Sequence, residues 1–257
     1  MTAAVSSDQR LFELLRARVP VIAFATHEEA RGCETLQRLG RRLPTPKPYY
    51  HWTVTSGLIG PPMRPGAAGR AKPDENLAPV KIDGADDIES VLRLVLEAPQ
   101  PGIFVLKDVH HFLENPIVLR LLRDAVQVLP TLSSAMGRSI VLVSPPPFFS
   151  PPDLEKDVAV VEFDLPAEAE LDRALLEIDQ GRALAHPPKP GVAWKDGQRQ
   201  KVIEAGLGLT LTEFFNACSV SLARTAIEGR EQSIDPKIVA SEKRAVIRRS
   251  GALDFIE

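Results

Sequence analysis

The chain has 257 residues, of which 44% are hydrophobic and 25% charged, and its formal net charge is −3. That length buries a sizeable core without covalent staples, and the mild negative charge gives no general attraction to nucleic acid or to a membrane surface. Cys33 and Cys218 lie too far apart to read as a disulfide framework, no apolar run approaches the ~20 residues of a membrane span, and MTAAVSSDQR lacks the basic start and apolar core of a signal peptide. The cytoplasm is the compartment these features leave as the default.

In chain order, five short apolar runs read as strands: VPVIAFAT (19–26), YHWTVTS (50–56), GIFVLKD (102–108), RSIVLVS (138–144) and VAVVEFD (158–164). The last three are nearly continuous in apolar residues, as in parallel strands covered on both faces. Between runs two and three, residues 57–79 are rich in Pro, Gly and Ala and predict a long mobile loop. A helix follows over 87–97, with Ile88, Val91, Leu92, Val95 and Leu96 on one face and a capping box of Asp86 and Glu89. Another covers 115–129, with Asn115 as N-cap and Pro116 in its first turn. Its apolar face is Ile117, Leu121, Leu122, Val126 and Leu129.

After a second break at 181–198 the chain turns helical. Thr210 and Glu213 have capping-box spacing ahead of Leu211, Phe214, Phe215, Cys218 and Leu222. Asp235 and Pro236 open a last helix, which RRSG closes at Gly251. The sequence therefore predicts an α/β protein with a five-stranded, mainly parallel sheet of RecA/AAA-like type. That body spans 1–165, and a small helical, lid-like subdomain with a C-terminal connector spans 166–257.

An α/β body followed by helices raises the question of a nucleotide site. The phosphate loop G-x-x-x-x-G-K-[ST] belongs after the first strand, where backbone N–H groups cradle phosphates. No Gly-Lys pair occurs anywhere in the chain. The first strand instead runs into THEEARGC. Thr26 and Glu29 have capping-box spacing, and Glu28 lies in the same turn. Either these residues cap a structural helix or they turn the pocket to another purpose.

In VLKDVHH, Asp108 stands at the carboxyl end of a central strand, where a magnesium-binding acid belongs. No second acid follows it to activate water. It is read as a remnant that caps its loop or pairs with a base. Ser144 ends the fourth strand in a polar-sensor position. Thr26, His27, Glu28, Glu29, Lys107, Asp108 and Ser144 are thus positions of a vestigial nucleotide site. His27, Asp108 and His110 form the alternative, a metal site, although His110 and His111 point in different directions and match no ligand motif. Arg41, Arg42 and Lys47 make a small basic patch. Without interleaved aromatics it does not predict nucleic-acid binding.

LLRARVPVIAFATHEEAR, IFVLKDVHHFL, SPPPFFSPPDLEKDVAVVEFDLP, GLGLTLTEFFNA and EKRAVIRRSGALDFIE resemble the N-terminal region of a family of hypothetical chloroplast-frame (Ycf-type) AAA ATPases. The resemblance implies a RecA/AAA-like domain without a phosphate loop, followed by an intact AAA module. ATP and magnesium are then expected downstream and not in this chain, whose catalytic residues are none. The expected role is a non-hydrolysing regulatory or assembly domain. Its partners are an AAA motor in cis or in trans, copies of itself, and a client protein, with no membrane and no nucleic acid. A divergent metal-dependent hydrolase and a clamp-loader-like inactive AAA subunit are the alternatives.

Overall fold

The computed structural model describes residues 5–64, 72–74, 77–97, 100–228 and 232–249. The chain divides into two compact units, Met1–Asp164 and Leu165–Glu257.

The first unit opens with α1 (Ser7–Arg16), β1 (Val21–Ala25) and α2 (Glu29–Arg42). Next come β2 (Tyr49–Thr53), β3 (Gly57–Gly60), β4 (Met63–Arg64), β5 (Lys72–Pro73) and β6 (Val80–Lys81). The unit closes with α3 (Ile88–Glu97), β7 (Gly102–Lys107), α4 (Pro116–Val128), β8 (Arg138–Ser144) and β9 (Ala159–Glu162). Among the described residues the main sheet has seven strands in the order β6-β3-β2-β7-β8-β1-β9. The expectation of five mainly parallel strands is therefore corrected to a mixed sheet. The five strands from β2 to β9 in that order are all parallel, whereas β3 and β6 add antiparallel at one edge.

Of the two extra strands, β3 comes from the stretch read as a mobile loop and β6 lies just past its end. Residues 54–56 turn the chain, Gly57 takes φ +70°, and β3 returns beside β2 with Thr53 opposite Gly57. Ser56 N donates to Thr53 Oγ1 at 3.0 Å and closes the turn. A three-residue hairpin loop ending in a left-handed glycine was present in the sequence as VTSG. Only four residues of strand follow it, too few to show alternation. Residues 65–71 and 75–76 of that predicted loop lie outside the described residues.

Strand side chains alternate between faces. Tyr50, Trp52, Phe104, Leu106, Ile140 and Leu142 pack with α3 and α4. Ile22, Phe24, Ile103, Val105, Val141 and Val143 pack with α1 and α2. Helices on both faces explain why the central runs are apolar throughout. The cap of α3 is shifted by one residue from the prediction. Asp87 accepts from Ser90 N at 2.9 Å, while Asp86 pairs with Lys81 and Glu89 accepts from Asn115. Asn115 does cap α4 through Ile117 N, with Pro116 in its first turn. Ile117, however, is exposed, and Val118 takes its place in the core.

The second unit holds α5 (Glu168–Ala183), α6 (Gln198–Gly206), α7 (Leu211–Ile227) and α8 (Pro236–Arg249). The Thr210–Glu213 capping box is present, and Asp235 accepts from Lys237 N at 2.8 Å at the head of α8. Phe214, Cys218 and Leu222 are buried in a core of this unit's own, with Leu171, Leu175, Val202 and Val239. The predicted stop at Gly251 lies outside the described residues. Among the described residues no helix is long and apolar enough to cross a membrane.

Candidate functional site

Parallel α/β sheets bind ligands beyond the carboxyl ends of their strands. Here that edge is laced together by backbone. Thr26 N donates to Ser144 O at 2.8 Å, Asp108 N to Val143 O at 2.9 Å, and Phe163 N to Ala25 O at 2.9 Å. Thr26, Asp108 and Ser144 therefore do converge.

The head of α2 is built differently from the prediction. Thr26 Oγ1 accepts from Glu28 N at 2.8 Å, not from Glu29 N, so no Thr26–Glu29 capping box forms. Glu28 takes the N-cap position at φ −108° without a side-chain cap bond. Its carboxylate turns inward, and the Glu28 side chain is only 6% exposed. Arg31, one turn on, meets it through Nε at 3.0 Å and Nη2 at 2.5 Å. The same guanidinium donates to Asp164 O and lies 4.0 Å over the Phe163 ring. Asp164 is tied in turn to α1, where its Oδ2 accepts from Ser7 N at 2.7 Å. Arg31 was not singled out in the sequence, although the i, i+3 spacing to Glu28 was a readable signal.

Glu29 faces outward and pairs with Lys107 at 2.8 Å. Burial is the strongest single influence and works against the Lys107 charge, but the bond to Glu29 and the negative charges of its neighbours together leave the ammonium above its ordinary range. Lys107 belongs to a row of polar groups between α2 and the sheet that includes Cys33, Tyr49 and His51. Burial pushes the Cys33 thiol up despite its hydrogen bond with Tyr49. It also raises the Tyr49 phenol, with Cys33 adding to the effect, and lowers His51, with Lys107 adding there. In the second unit, burial pushes Cys218 up to about 12. Only the thiolate is nucleophilic. Both cysteines of the native protein are therefore expected to react with a disulfide reagent at pH 8 at least about tenfold more slowly than a free thiol, and at the free rate once unfolded. A native Cys33 reacting at the free rate would contradict this.

Asp108 is exposed and left-handed at φ +56°, heading a short 3-10 turn over Val109–Phe112. The tightness of that turn brings the His110 and His111 rings within 4.0 Å at a 40° tilt, so the two do not diverge as predicted. Burial lowers the His110 pKa, and His111 adds to that. His110 Nδ1 and the buried Ser144 Oγ find no hydrogen-bond partner among the described residues. His27 is exposed. No group of three or more His, Cys, Asp or Glu among the described residues could hold a metal ion, so His27, Asp108 and His110 are not gathered into one.

Comparison with known proteins bears out the resemblance read from the sequence. Residues 7–163 match the family model of the SpoVK-like AAA ATPase N-terminal domain, a stretch that falls within the first unit. The chain is 26% identical over 242 residues to "Uncharacterized AAA domain-containing protein ycf46" of Guillardia theta, covering 94% of this chain and 42% of that protein. It is 25% identical over 248 residues to the protein of the same name from Trieres chinensis, covering 96% of this chain and 44% of that protein. The chain thus spans less than half the length of these two relatives.

Proposed function

The chain belongs to the SpoVK-like AAA ATPase N-terminal domain family, and from that premise we propose that it is a non-hydrolysing regulatory or assembly domain serving an AAA motor. The observation that carries this reading is the Glu28 carboxylate, buried at the head of α2 and clamped by Arg31. In a nucleotide-binding α/β fold that helix end supplies free N–H groups and positive partial charge to a phosphate. Here the protein's own anion stands at that end, with a second acid, Glu29, beside it. A triphosphate entering would meet two carboxylates and no phosphate-loop lysine, since the chain contains no Gly-Lys pair. Residues Thr26 to Glu29 therefore do not fit a magnesium–nucleoside triphosphate. Asp108 and Ser144 keep the positions of a site whose phosphate half is replaced.

On this reading ATP and magnesium act in an AAA module partnered in cis or in trans. This chain contributes contacts to that module, to copies of itself or to a client. The test is calorimetry and a turnover assay on the chain with Mg-ATP. We expect no hydrolysis and no submillimolar binding. A submillimolar affinity would overturn the replaced-pocket reading.

A further inference from the structure

Two described residues other than glycine hold a positive φ, Asp108 and Arg18, the latter at +59°. Aspartate tolerates that conformation through its short polar side chain, whereas arginine has no such help. Arg18 stands just past the end of α1. Its N–H donates to Leu15 O at 3.1 Å, and Val19 N donates to Leu14 O at 3.0 Å. Helices that end with this pair of bonds usually place glycine there. An arginine kept in a strained position points to work done by its side chain.

That side chain lies beside a second cation. Arg18 Nη1 donates to Leu132 O at 2.9 Å, and Lys47 Nζ donates to Ser134 O at 2.7 Å. Lys47 is only 8% exposed. Among the described residues neither cation meets a carboxylate. Burial lowers the Lys47 pKa and Arg18 adds to it, as two uncompensated like charges require. Negative helix ends favour nearby cations, and α1 and α2 both finish at this edge. Yet Arg18 Nη1 and Lys47 Nζ donate to the connector before β8, not to the ends of those helices.

The two cations border a cavity of ≈ 220 Å³ together with Arg16, Thr45 and Ser134, and no acidic residue lines it. The lining residues precede β1, β2 and β8, so the cavity lies at the amino ends of the strands, opposite Glu28 and Asp108. We propose that this cavity binds a phosphate group, free or carried by a small phosphomonoester. Three cations and two hydroxyls suit a tetrahedral dianion better than a single carboxylate. The volume falls below the usual ~300 Å³ of a drug-sized ligand site and suits a small anion.

The test uses the whole chain in phosphate-free buffer at fixed ionic strength, titrated with inorganic phosphate and, separately, with glycerol 3-phosphate. Saturable binding is expected. In Arg18→Gly it should weaken at least about tenfold while the Tm stays level or rises, because glycine relieves the backbone. A purely structural arginine would instead lower the Tm and leave nothing to weaken. Tighter binding of glycerol 3-phosphate assigns the site to a small phosphorylated molecule, and equal binding assigns it to free phosphate. No saturable binding of either probe, or unchanged affinity in Arg18→Gly, overturns the proposal. Lys47→Met, if it folds, should weaken binding in the same way.

Discussion

Arg31→Met should destabilise the first unit by about 3–5 kcal/mol, among the larger effects available to one substitution in this chain. The change takes the clamping guanidinium away from a carboxylate held inside the protein, and breaking a buried ion pair costs far more than a surface ion pair contributes. It also removes the cation over Phe163 and the bond to Asp164 O, both of which join α2 to the segment just past β9. For a unit of this size each kcal/mol lowers the Tm by about 2–4 °C, so thermal and urea unfolding both resolve the loss. The double variant Glu28→Gln with Arg31→Met should recover a large part, because the buried charge is gone. A loss below about 1 kcal/mol in the single variant would mean that water reaches Glu28 and screens it as at a surface.

Gly60→Val should cost about 3 kcal/mol or more, for a reason of space and not of charge. Tyr50 is 1% exposed and stacks on Phe104, centroids 4.6 Å apart and planes within 8°. Its ring lies across Gly60 on the neighbouring strand, where an added Cβ would fall 2.1 Å from Tyr50 Cδ1. On the other flank, a Cβ at Gly102 would come within 2.8 Å of Tyr50 Cε2. The ring is slotted between two glycines and cannot give way without leaving the Phe104 face. In urea titrations, Gly60→Ala combined with Tyr50→Leu should therefore cost less than the sum of the two single changes. Strict additivity would show that the ring moves freely. Phe214 over Gly206 repeats the device in the second unit, with an added Cβ 2.4 Å from Phe214 Cε2.

What the sequence revealed depended on how far apart the partners lie. The apolar runs became the five parallel strands, and the caps at Asn115, Thr210 and Asp235 formed, because each signal sits within a few residues. The capping box at Thr26 and Glu29 had the right spacing and failed. Thr26 turns back to Glu28 N, and Glu29 is drawn to Lys107, 78 positions away. Tertiary pairing overrode local pattern. The hairpin to β3 was overlooked because four residues with glycine at both ends show no alternation. The cavity beside Lys47 was not legible at all. Arg41, Arg42 and Lys47 were read as one basic patch, yet of these only Lys47 lines that cavity, beside an Arg18 that topology delivers from before β1.

The ordering of the strands also bears on solubility. The longest strands, β7 and β8, and the wholly apolar β1 occupy the interior of the sheet, and its two margins are β6, two residues long, and β9, four residues long. An exposed strand margin recruits a foreign chain only where it offers a run of unpaired backbone groups. Neither margin offers such a run, and they carry Lys81 and Glu162 as charged, exposed residues. A chain built on five apolar parallel strands is slow to assemble and prone to aggregate while unfinished. Once folded, it keeps its stickiest segments where no neighbour can zip onto them.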